Sequence, residues 1–169
     1  HMQMGMLGSF FVRAAQNGQV YHHHGRDFTM FAYNDGDGST GYDREYPIQI
    51  GSFDSTFHDA SLDVQPLPFA TMQDNYPMLN GRGYPDTVNP DPLPAPAENG
   101  GKASQPESSL ISAAPGESVL LRISNLNVTN FYTLQTMGLK MRVVGNGARL
   151  LRGPSGIDTA YETNSVTLG

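Results

Sequence analysis

"GESVLLRISNLNVTNFYTLQTMGLKMRVVGNGARL" (Gly116–Leu150) is the stretch on which the fold turns. Val119, Leu121 and Ile123 alternate with Leu120, Arg122 and Ser124. That two-residue period belongs to a strand with one covered face. Pro115-Gly116 stands just before it as a turn signal, so Ser108–Leu126 is expected as a strand pair around that turn. Downstream, residues 130–153 carry two more strand patterns, broken at Met137-Gly138 and at Gly145-Asn146-Gly147. "TNSVTLG" (Thr163–Gly169) begins another.

Working upstream, "YPIQIGSF" (Tyr46–Phe53) places Tyr46, Ile48 and Ile50 on one face, with Pro47 marking a strand start or an edge. "DSTFHDASLD" (Asp54–Asp63) predicts a single short helical turn capped by Asp54 or Ser55. Asn75–Pro85 predicts a strand that ends in a tight Asn80-Gly81 turn, and residues 86–107, rich in proline, predict an exposed extended loop. At the front, "MLGSFFVRA" (Met6–Ala14) reads as a strand and Asn17-Gly18 as a turn. Residues 15–41 read as a connector with a β-prone patch at Phe28–Tyr33. No amphipathic helix longer than about three turns is present, and strand patterns recur at spacings of roughly 8–12 residues. The expected fold class is all-β.

Composition narrows the function. The 169 residues suit one domain or little more, and 19 glycines with 12 prolines fit short strands and turns. A net charge of −6 argues against non-specific nucleic-acid binding, which needs a basic face. No run approaches the roughly 18 apolar residues of a membrane span. The first residues lack the basic region, apolar core and cleavage site of a signal peptide. Cysteine is absent, which excludes disulfides, zinc fingers, iron–sulfur clusters and thiolate nucleophiles. A blue-copper site also needs a cysteine sulfur, so this chain alone cannot complete one.

Two stretches together resemble the multicopper oxidase family. The first is His1-x-x-x-Gly5-Met6 followed by "LGSFFV", similar to the loop and strand that carry the last histidine and the axial methionine of a type 1 copper site. The second runs through "YDREYPIQIGSFDSTFHD", "YPMLNGRGYPDT" and Gly116–Leu150, and is similar to the start of the cupredoxin domain that follows. Where copper-binding domains of the family place His-x-His, this chain has Phe131-Tyr132-Thr133-Leu134, and no histidine follows His58. The resemblance therefore implies a copper-free middle domain, similar to those of secreted bacterial oxidases linked to manganese and iron.

The resemblance implies a cupredoxin-like Greek-key β-sandwich, incomplete at both ends. Residues 1–14 would be the last strand of a preceding cupredoxin domain, 15–41 a linker, and 42–169 the middle domain with its C-terminal strands missing. His1 and Met6 would be type 1 copper ligands in the intact parent, with the ligating cysteine upstream. That parent would oxidise a metal ion or an organic substrate and reduce oxygen to water, in an extracytoplasmic setting. The isolated chain is expected to be inactive, and its partners to be the remaining cupredoxin domains of the same polypeptide. The competing expectation is a non-enzymatic assembly module. A sandwich lacking strands has open edges, and "MLGSFFVRA" is a candidate donor for strand exchange or self-association.

Other clusters carry their own expectations. Asp35, Asp37 and Ser39 in "NDGDGST" are similar to a calcium loop, where oxygens at alternate positions wrap a hard cation. With Asp35 first, however, the twelve-residue template has Thr40 where glycine belongs and Tyr46 where glutamate belongs. A Gly/Asp turn is the competing reading. His22, His23 and His24 are consecutive, so in an extended segment they point alternately and do not converge on one ion. Together with the acidic loop they would suit metal storage. Asp54, His58 and Asp59 are an acid–histidine cluster without a partnered nucleophile. Asn127-Val128-Thr129 fits a glycosylation sequon, and "GNG" (145–147) is a hairpin turn without the lysine of a phosphate loop.

Overall fold

The computed structural model describes residues 2–63 and 66–169. Strand β3 (Arg44–Phe53) is the organising element. Its alternation puts Ile48, Ile50 and Ser52 on a buried face, 5%, 3% and 3% exposed. On one side it pairs antiparallel with β4 (Tyr76–Leu79), in the register Ile50 to Leu79 through Phe53 to Tyr76. On the other it pairs parallel with β5 (Val119–Asn125), from Arg44 opposite Val119 to Ile50 opposite Asn125. A parallel pair needs a crossover connection. Here residues 54–118 supply it, so the longest pairing among the described residues joins segments far apart in sequence.

The crossover is built from local signals. Helix α1 (Ser55–Ala60) starts at Asp54, whose carboxylate accepts from the Phe57 amide at 2.9 Å. β4 ends in the Asn80-Gly81 turn, with φ of 51° and 79° at the two central residues, the hand that matches strand twist. Arg82 follows and is fully buried. Its guanidinium donates to the carbonyls of Gln105 (2.9 Å), Asp86 (3.3 Å), Asn89 (2.6 Å) and Pro106 (3.1 Å). The proline-rich segment has few ladder bonds of its own, and one planar fork of donors ties both its ends together.

Residues 15–41, expected as a connector, fold on themselves. β1 (Tyr21–His23) and β2 (Arg26–Phe28) form a hairpin across a turn at His24-Gly25. Phe28 and Phe31 pack with Ala14 into the one buried apolar cluster among the described residues, with Tyr21 edge-on to Phe31 at 5.3 Å. Gly41 closes over it: a β-carbon there would lie 2.3 Å from the Phe28 ring, so only glycine fits.

Beyond β5 the strands come in short antiparallel pairs. β6 (Tyr132–Gln135) pairs with β11 (Ser165–Leu168), and β7 (Met141–Val143) with β10 (Tyr161–Thr163). β8 (Gly145–Asn146) and β9 (Arg149–Leu150) form a hairpin. Among the described residues the structure is thus all-β with one short helix and a few single turns. Two expected strands are not formed. Residues 6–14 form no strand, and 108–118 form no strand before β5 begins, only the turn at Pro115-Gly116 and scattered bonds. No helix is long and apolar enough to cross a membrane among the described residues.

Candidate functional site

The N-terminal corner brings Gln3 against Asp54, His58 and Asp74. Residues 2–7 turn tightly, with Gly5 N–H donating to the Met2 carbonyl at 3.0 Å. Gln3 is the hub. Its Nε2 donates to Asp74 Oδ1 at 2.6 Å and its Oε1 accepts from the Asp54 amide at 3.3 Å. His58 Nε2 lies 3.0 Å from the same oxygen, which makes Nε2 the protonated nitrogen. The His58 ring stacks on Phe53 at 4.5 Å, nearly parallel. Asp54 is 4% exposed and accepts from the amides of Phe57 and Gln73, the latter at 2.7 Å. These two bonds, Phe57 first, hold its carboxyl below the usual range.

Of the expected cluster, Asp54 and His58 therefore meet at Gln3, while Asp59 is exposed. The Asp54 oxygens are occupied by backbone donors, a cap arrangement with no nucleophile aligned on it. Met6 is 71% exposed on the same corner, and His1 lies outside the described residues. No group of three His, Cys, Asp or Glu residues that could hold a metal forms among the described residues. The corner offers the thioethers of Met2, Met4, Met6 and Met72 but the chain has no cysteine, so this set does not fit a complete type 1 copper centre and no redox step follows from it.

Residues 9–13 then lie across the polar face of the β3–β5 sheet. Alternate side chains touch it. Gln49 Nε2 donates to Ser9 Oγ at 2.7 Å, the Arg122 guanidinium sits 5.1 Å from the Phe11 ring, and Arg13 Nη1 donates to Glu45 Oε2 at 2.6 Å. Glu45 also accepts from Arg122 at 3.0 Å and from the Tyr42 hydroxyl at 3.1 Å. The Arg13 bond above all holds the Glu45 carboxyl down to about 2, against the opposing effect of its partial burial. Phe10 and Val12 point the other way and are 90% and 78% exposed.

The acidic loop is a hub of a different kind. Asp35 accepts from Gln16 Nε2 (2.8 Å), the Gly38 amide (2.9 Å), the Thr40 amide (2.7 Å) and the Thr40 hydroxyl (2.5 Å). Its surroundings are N–H and O–H donors, where a cation would need oxygen lone pairs. Asp37 accepts from Arg152 at 2.6 Å. Its partial burial works against ionisation, but bonds from Ser39 and Arg152 prevail and bring the carboxyl down to about 2. Arg152 also donates to Ser39 Oγ at 2.8 Å, Arg142 to the Ser39 carbonyl at 2.7 Å, and Tyr33 to the Gly147 carbonyl at 2.9 Å. The loop thus docks β1–β2 onto the C-terminal strands.

The histidine triplet does not converge. His22 pairs across the hairpin with Asp27 at 2.7 Å, while His23 and His24 stack edge-on at 4.2 Å. Asn127 turns inward: its Nδ2 donates to Asn125 Oδ1, and its own Oδ1 is buried without a partner among the described residues. The amide a glycan would need is engaged in this fold. Tyr132, Thr133 and Leu134 line an open apolar cleft of about 300 Å³ with Ile50, Leu79 and Tyr84.

Sequence reasoning did not single out Gln3, Arg13, Glu45 or Arg82. The three charged residues carried a signal, since long side chains amid strand patterns need partners, but their pairings are long-range. Gln3 carried none. Compared with protein-family models, curated proteins and solved structures, the chain matches none.

Proposed function

We propose that this chain is a segment of a multicopper oxidase. Residues 42–169 would be a copper-free, cupredoxin-like Greek-key domain that spaces and orients the copper-bearing domains of the same polypeptide, at an extracytoplasmic site. The observation that carries this reading is the Gln3 hub. Gln3 lies inside the His-x3-Gly-Met loop, and its amide bonds to Asp54, His58 and Asp74. The loop bearing Met6 is therefore held against residues 54, 58 and 74, which this reading assigns to the following domain. The β4–β3–β5 order supports the reading too, because it sets strands side by side across a long connection. In such an oxidase bound copper supplies one-electron oxidation of a metal ion or organic substrate and reduction of oxygen to water. The residues here position and space.

The test is the natural protein from its source: intact mass, peptide mapping past residues 1 and 169, and copper per mole. Peptides extending into a His-Cys-His segment, with bound copper and a blue absorption band, are the expected result. A copper-free protein of this mass would overturn the reading.

A second reading, a strand-exchanging assembly module, draws on a specific observation. Residues 8–13 make no backbone–backbone hydrogen bond among the described residues while presenting Phe10 and Val12 to solvent. A monodisperse monomer at high concentration would count against it.

A further inference from the structure

The chain contains four Asn-Gly pairs, at 17–18, 80–81, 99–100 and 146–147. This dipeptide is the one most open to spontaneous attack on the asparagine side chain, because glycine leaves the backbone amide unhindered and free to rotate. The fold treats the four pairs differently. Asn17 Oδ1 accepts from the Phe31 amide at 2.9 Å, and the Gly18 amide is engaged by the Thr29 carbonyl at 2.9 Å. Asn80 is pinned at both ends of its amide: Oδ1 accepts from Gln49 N–H at 2.8 Å, and Nδ2 donates to the Pro47 and Ser108 carbonyls at 3.0 and 3.2 Å. Asn99 closes on Lys102 from both ends at 3.0 and 2.8 Å, and the Gly100 amide bonds to the Ala97 carbonyl at 3.0 Å.

Asn146 differs on every count. It is exposed, its side chain has no hydrogen-bond partner among the described residues, and neither has the Gly147 amide. Gly147, with φ of 58°, is the first loop residue of the β8–β9 hairpin, where the amide is left out of the ladder.

We infer that Asn146 is the site of spontaneous, structure-directed deamidation in this protein. The Gly147 nitrogen attacks Asn146 Cγ and loses its proton as the N–Cγ bond forms. The Cγ–Nδ2 bond breaks and ammonia leaves. Water then opens the five-membered imide at either carbonyl, giving aspartate or isoaspartate, with no change of oxidation state. The product adds a negative charge to a chain already at −6, opposite Arg149 in the hairpin register. The isoaspartate form also lengthens the backbone beside Gly147, whose carbonyl receives the Tyr33 hydroxyl.

The experiment is incubation of the folded protein at mildly alkaline pH, with peptide mapping by mass spectrometry over time and a parallel sample in denaturant. In the folded sample Asn146 converts roughly tenfold faster than Asn17, Asn80 or Asn99, since each of those must first break one or more bonds. In denaturant the four rates converge. Conversion of any of the other three at an equal or higher rate in the folded protein would overturn the inference. So would the same preference for Asn146 in denaturant, which would place the cause in local sequence. Asn146→Gln is expected to remove the signal from its own peptide and leave the other three unchanged.

Discussion

Two aromatic stretches of similar composition meet opposite fates. "FFV" (Phe10–Val12) looks like the stronger strand, yet it runs unpaired, with Phe10 90% and Val12 78% exposed. "FTMF" (Phe28–Phe31) sits in a glycine-rich, polar segment that reads as a connector, yet Phe31 is completely buried. The difference is what surrounds them. Around Phe31 the chain supplies its own partners within about two dozen residues: Asn17 takes the Phe31 amide, Asp35 takes the amides of Asp37, Gly38 and Thr40, and Gly41 lets Phe28 close in. Around Phe10 the support among the described residues is a sheet face reached through Ser9, Phe11 and Arg13. Apolar content reports what gains from burial, while the polar scaffold decides whether burial is reached.

The sharpest way to break this comparison is to truncate both aromatics. Phe31→Ala should destabilise by about 3–5 kcal/mol, the cost of a cavity in a closed cluster. Phe10→Ala should change stability by no more than about 0.5 kcal/mol. Both are read by urea unfolding at two protein concentrations. A large, concentration-dependent loss in Phe10→Ala would mean that a second copy covers that face.

Next in size is the scaffold itself. Asp35→Ala strands the Gly38 and Thr40 donors and should cost about 2 kcal/mol. Hydrogen exchange should rise across residues 36–41 while β3 stays protected. Unchanged exchange in that loop would show that Phe31 burial holds the loop, and not the reverse.

A smaller effect than that of Asp35 belongs to the contact between Arg13 and Glu45, and it depends on pH. Glu45 has its folded value depressed to about 2, below the ordinary carboxylate range. Its contribution is therefore present above that ordinary range and is lost as pH falls towards 2. Glu45→Gln should cost about 1–2 kcal/mol at neutral pH. The gap to the parent should close between about pH 4 and pH 2. A gap that stays constant with pH would locate the effect in packing against Phe11 and Tyr42.

Much of the β architecture was legible because it rests on local pattern. The alternation in Tyr46–Phe53 and Val119–Ser124, the Asp54 cap, and the turns at Asn80-Gly81 and Gly145–Gly147 all appear where short-range chemistry puts them. The sites were less legible. Asp35 and Asp37 do come together in one loop, but backbone amides and Arg152 surround them. Met6 stands exposed beside a hub formed by Gln3, which no motif marks. Strand β10 and the parallel pairing of β3 with β5 left no trace a short window could hold.

By itself, then, the sequence determined the all-β class, the positions of the turns and the absence of any thiolate chemistry, because each depends on residue type and near neighbours alone. Only the tertiary structure decided that residues 15–41 carry the buried Phe28 and Phe31, that residues 9–13 lie on the β3–β5 face, and that Arg82 gathers the proline-rich loop. Those outcomes depend on hydrogen bonds and ion pairs between segments tens of residues apart. Such bonds form only when the whole chain has brought a buried donor within about 3 Å of an acceptor it cannot do without.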